Sequence, residues 1–226
     1  MKQVVKLFRE VGDMGLGVYA ACAAYFLVLA AAPGMVLVEG LPGPVGEPVK
    51  RLLGEVFPAG WKPEGIAEGT PVLGIAAVWS ASKGLYGLLK GLRVIYGNTG
   101  RRGWLAGRLL CLGYVLTGLA LGMAVLPLAQ RVIAWGAGLA LAAQTAAFAG
   151  LYLAASRGKG RVPGALGGAA GASCICLGLT RIYGRVLKMT PGVPLYSAAG
   201  GLILAYLWAW TVLLGAFFHS KISGKC

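Results

Sequence analysis

The chain has 226 residues, 58% of them hydrophobic and only 12% charged, with a formal net charge of +14. Soluble domains carry about a quarter charged residues, so a single soluble core is excluded. The composition is that of an all-α, polytopic integral membrane protein. There the positive balance points to cytoplasmic anchoring and contact with anionic membrane lipids, and not to nucleic acid.

All seven acids lie within the first 68 residues, and fifteen of the 21 Lys and Arg lie after them. At the N-terminus Val4, Leu7, Phe8 and Val11 fall at helical spacing, which predicts a short interfacial helix. The apolar run 14–38 follows. It is longer than the roughly 7–15 residues of a signal-peptide core, and Glu10 and Asp13 precede it, so it reads as a retained first span. The connection 39–70 is rich in Pro and Gly ("EGLPGPVGEP"). Within it Val49, Leu52, Leu53 and Val56 predict a short amphipathic helix in the first outer loop.

The next run starts at Pro71 and meets Lys83 after about 18 Å of helix. It spans a membrane only if Lys83 is tolerated at depth and the helix continues to Ile95. Further runs of about 20 apolar residues or more, enough to span, occupy 103–127, 131–155, 163–187 and 196–219. The expectation is six transmembrane helices in one membrane domain, 1–226. Basic connections alternate with poor ones, which puts both termini in the cytoplasm. Arg181, Arg185 and Lys188, at the outer end of the fifth span, are the exception.

Gly164, Gly168 and Ala172 recur every four residues in the fifth span, and Gly201, Ala205 and Ala209 in the sixth. Such stripes let helix backbones approach closely, within one chain or between two copies. Cys22, Cys111, Cys174, Cys176 and Cys226 show no zinc or redox spacing and read as small packing residues. No metal-ligand set, phosphate-binding loop or nucleophile elbow is present, and His219 is the single histidine. The expectation is a protein that is not an enzyme, without metal or cofactor.

The stretch "VWSASKGLYGLLKGLRVIYG" (78–97) carries the sharpest signal. On a helical wheel Lys83, Tyr86, Lys90 and Arg93 share an arc of roughly 80°. Gly84, Gly87 and Gly91 cluster beside it. Leu85, Leu88, Leu89, Leu92, Ile95 and Tyr96 take the opposite side. A bare flank beside positive charge can seat a bulky anion or another helix. In the fifth span Arg181, Arg185 and Lys188 share an arc with Cys174 and Gly178, while Leu179, Ile182, Tyr183 and Val186 cover the other side. A cation deep in a bilayer costs about 2.5–3.5 kcal/mol on insertion scales. Snorkelling of the stems, acids in the outer loop, or an anionic ligand could each offset that cost. Gln144, near mid-span, reads as a polar contact between helices.

These residues also carry a family resemblance. "WSASKGLYGLLKGLRVIYG" (79–97) resembles the most distinctive block of the YihY/BrkB family of bacterial inner-membrane proteins. "YAACAAYFLVLAAAPGMVL" (19–37), with its late Pro33, is similar to that family's first span. "LYSAAGGLILAYLWAWTVLLGAFF" (195–218) is similar to its last. The family usually closes its last span with Gly-Ala-Glu; here Gly215 and Ala216 precede Phe217. Its Asn-Arg pair is only loosely matched by Arg93 and Val94. The resemblance implies six spans, cytoplasmic termini and a role in envelope integrity or lipid export. The label ribonuclease BN attached to some members does not suit these residues, which offer no acidic or histidine metal site.

The resulting expectation is an inner-membrane protein that binds or translocates an anionic amphiphile, a phospholipid or lipid-linked envelope component. Lys83, Tyr86, Gly87, Lys90 and Arg93 would hold its headgroup on the inner side, and Arg181, Arg185 and Lys188 on the outer. The alternative is a non-transporting envelope scaffold, which calls for an envelope protein partner or a second copy of the chain.

Overall fold

The computed structural model describes residues 9–39, 71–97, 104–131, 136–156, 162–189 and 194–222, all but a few of which are helical. The amphipathic segment expected within 39–70 lies outside the described residues. So do Val4, Leu7 and Phe8 of the expected N-terminal helix. Residues 9–13 form a helical turn whose Val11 is buried.

Six long helices follow: α1 Leu16–Glu39, α2 Pro71–Ile95, α3 Trp104–Arg131, α4 Gly136–Ser156, α5 Val162–Met189 and α6 Pro194–Ile222. Each expected apolar run becomes one helix, with ends moved by a few residues. Gly15, with φ 61°, links the N-terminal turn to α1, and Gly97, with φ 60°, closes α2. L-residues with a side chain rarely adopt that conformation, so glycine suits both junctions. By length and composition, the segments Val72–Ile95, Val162–Val186 and Ala199–Lys221 can cross a membrane. The apolar helical stretches described in the other three, Leu16–Ala31, Trp104–Gly118 and Leu141–Ser156, are shorter.

The helices form a closed circuit in which α1 packs against both α2 and α6, α6 against α5, α5 against α4, α2 against α3 and, more lightly, α3 against α4. Small residues set the closest approaches. A Cβ placed on Gly168 of α5 would lie 2.9 Å from the Gly215 carbonyl oxygen of α6. Ala172 is buried against the same Gly215. The α5 stripe therefore packs within the chain, and its partner is Gly215 instead of the Gly201–Ala205 stripe. Gly201 meets the Tyr183 hydroxyl, while Gly164 and Ala205 are half-buried.

Polar side chains add directional contacts between helices. The Tyr152 hydroxyl of α4 donates to the Val212 carbonyl of α6 at 2.7 Å, and the Trp208 indole of α6 to the Cys176 carbonyl of α5 at 3.1 Å. Tyr114 of α3 donates to the Ala147 carbonyl of α4.

These contacts fix the relative directions. Tyr96, just past α2, lies 2.9 Å from His219 Nδ1 near the end of α6, and the His219 side chain borders Gly168 in the first half of α5. The end of α2, the end of α6 and the start of α5 therefore share one end of the bundle. Arg181 and Arg185 lie toward the other end, beside Tyr183 on Gly200.

Candidate functional site

α2 has three distinct faces. Leu88, Leu89, Leu92 and Ile95 are buried in the core, so the apolar side of the wheel faces protein. The glycine flank is occupied by helices. A Cβ on Gly84 would lie 3.0 Å from the Ala23 carbonyl oxygen, one on Gly87 3.2 Å from Cys22 Sγ, and one on Gly91 2.9 Å from Leu213. Of the two occupants open to that flank, the structure seats a helix, α1, with α6 joining at Gly91. Gly87 is buried there, under Cys22 and away from the basic face.

The third face carries the cations. Lys83 and Lys90 are exposed, and Tyr86 and Arg93 half-buried. The Lys83 ammonium sits 5.2 Å from the ring centre of Phe26 on α1. The Lys90 ammonium sits 5.0 Å from the ring of Tyr86. On the other flank Tyr86 and Arg93 both reach Gly107 of α3. A Cβ there would meet Tyr86 Cε2 at 2.7 Å and Arg93 Nη1 at 3.7 Å. The basic face of α2 is thus an outward strip bounded by α1 and α3.

The fold adds one residue that helix-by-helix reading misses. Arg108 of α3 is only 8% exposed, and its guanidinium lies 4.5 Å from the ring centre of Trp79 on α2. In the sequence it looks like one more charge flanking a cytoplasmic connection. Its depth was signalled by its place in "WLAGRLLCLGY", one turn into an apolar run with no acid one turn away. Its pairing with Trp79 had no local signal, because 29 positions separate them.

Among the described residues, none of Lys83, Lys90, Arg93 or Arg108 has a carboxylate partner. The Lys221 ammonium, by contrast, sits 2.7 Å from Glu10 and over the ring of Phe217. Phe217, the departure from the family's Gly-Ala-Glu, is fully buried. Glu10 is a negative charge beside the last turn of α6.

The α5 stripe differs. Arg181 and Arg185 are exposed, and so are Ile182 and Val186 from the apolar side of the wheel. Neither arginine has a carboxylate or a ring partner among the described residues. The Lys188 side chain lies outside the described part. Among the described residues α2 and α5 share no extensive interface, so the two stripes are separate features.

An all-helical bundle with membrane-length apolar helices and cations on an outward strip defines a membrane protein. The chain matches the model of a family described as virulence factor BrkB over residues 7–222, and belongs to that family. No curated protein and no solved structure matches it.

Proposed function

We propose that this is a six-span bacterial inner-membrane protein, with both termini cytoplasmic, that binds or translocates an anionic amphiphile. The ligand class is a phospholipid or a lipid-linked envelope component. One observation carries this reading: Lys83 and Lys90 of α2 and Arg108 of α3 are held against aromatic rings, with no carboxylate among the described residues to neutralise them. A cation–π contact contributes about 0.5–2 kcal/mol. Insertion of a cation at bilayer depth costs about 2.5–3.5 kcal/mol. Rings offset part of that cost, and an anionic headgroup supplies the rest. The strip faces outward, where lipid reaches it directly.

The test is the double variant Lys83→Gln with Arg181→Gln, extracted in mild detergent, with co-purifying lipid measured by mass spectrometry. Most of the anionic lipid should be lost while membrane insertion and yield stay unchanged. An unaltered lipid profile overturns the reading.

A second reading, a non-transporting envelope scaffold, draws support from the separation of the two stripes, since helices α2 and α5 share no extensive interface among the described residues. It calls for a stable partner protein or a second copy, and for full tolerance of the same double substitution.

A further inference from the structure

Lys83 lies furthest along α2 from the basic end of the strip, twelve residues after the helix starts at Pro71. Its ring comes from another helix, whereas Lys90 takes the ring of Tyr86 one turn away on its own helix. The Phe26 ring of α1 has its centre 5.2 Å from the Lys83 ammonium. It meets the Tyr25 ring edge-on, with ring centres 5.3 Å apart. Phe26 reaches Lys83 because α1 and α2 come close at the next residue. A Cβ on Gly84 would lie 3.0 Å from the Ala23 carbonyl oxygen and 3.2 Å from Leu27 Cγ. Ala23 and Leu27 stand on either side of Phe26 in α1, so a side chain at position 84 would push that part of α1 away. The glycine flank of α2 therefore sets the distance between a ring and a cation in the middle of a span.

We propose that Phe26 and Gly84 are positioning residues for the headgroup site on α2. Gly84 brings α1 close enough for Phe26 to hold the Lys83 ammonium in the pose that meets an anionic headgroup. The inference rests on the anionic-amphiphile reading and deepens it by adding α1 to the site. A lysine side chain has many rotamers, and ordering it on binding weakens affinity. A ring face that already attracts the ammonium removes part of that cost before the ligand arrives. The ring covers one side of the ammonium, and Lys83 stays exposed, so its donors remain open to a headgroup. Phe26 offers an anion no hydrogen bond of its own and acts through Lys83.

The experiment uses the full chain in dodecyl maltoside. It measures affinity for dioctanoyl phosphatidylglycerol and dioctanoyl phosphatidate, with Tm recorded for each variant. Phe26 is only half-buried, and Phe26→Leu keeps an apolar side chain while removing the ring. It should weaken binding of both lipids about three- to tenfold, the cost of ordering one long side chain. Phe26→Tyr keeps the ring face and should bind as the wild type does. In a Lys83→Gln background Phe26→Leu should bring no further loss, because the ring then has no cation to place. Gly84→Ala should weaken binding as Phe26→Leu does, and should also lose its effect in the Lys83→Gln background.

Unchanged affinity in Phe26→Leu overturns the positioning role. So does an equal loss with and without Lys83, which would mark Phe26 as a packing or acyl-chain contact. If the Lys83→Gln, Arg181→Gln pair still loses its lipid in either case, the broader reading stands without this one. A wild-type chain that binds neither lipid sinks both.

Discussion

The basic faces of α2 and α5 look alike on a helical wheel and end in different surroundings. On α2, the Phe26 ring of α1 and the Tyr86 ring of α2 itself hold Lys83 and Lys90, and a buried arginine of α3 lies on the Trp79 ring. On α5, Arg181 and Arg185 stand exposed beside exposed Ile182 and Val186. Equal charge patterns therefore need not mean equal sites. What distinguishes them is whether neighbouring helices close around the stripe, and that depends on the rest of the fold.

The largest effect that can break this contrast comes from packing. Gly168→Ala puts a methyl 2.9 Å from a backbone oxygen of α6. Backbone cannot yield as a flexible side chain can, so the loss should be about 1–3 kcal/mol, read as a lower Tm in detergent. Gly178→Ala, on the α5 arc that carries Arg181 and Arg185, meets nothing within 4 Å and should leave Tm unchanged or slightly raised. Equal losses from both would show that the two ends of α5 are equally confined.

A smaller effect is expected at the junction of α2 and α6. Tyr96→Phe removes the hydroxyl that lies 2.9 Å from His219 Nδ1. The cost should be about 1 kcal/mol, again visible in Tm, with lipid binding at the α2 strip retained. The smallest effect belongs to Glu10→Gln. Both members of the Glu10–Lys221 pair are about one-third exposed, and such pairs contribute about 0–1 kcal/mol. The change in Tm should be within that range and should shrink further in high salt.

Much of the fold was legible because a long apolar run with helix-compatible composition marks each helix directly. The runs read from the sequence predict each helix to within a few residues, and the continuation of α2 past Lys83 follows from the same pattern. The glycine flank of α2 was legible as a bare surface, but its occupant was not. Whether Gly84, Gly87 and Gly91 receive an anion or a helix depends on where Ala23, Cys22 and Tyr19 are brought. Arg108 was hidden for a related reason. Its place one turn inside an apolar run marks it as helical, but its partner Trp79 comes from another helix, 29 positions away, and leaves no local signal.

The closed circuit of helices also bears on how the molecule is made. α1 and α2 can pair as soon as both have been synthesised, which leaves the other side of α1 without its neighbour. That neighbour is α6, the last of the six helices to emerge, and it brings Lys221 to Glu10 at the opening turn. Until α6 arrives, the face of α1 that it covers and the Gly168–Ala172 seam of α5 both lack their partner.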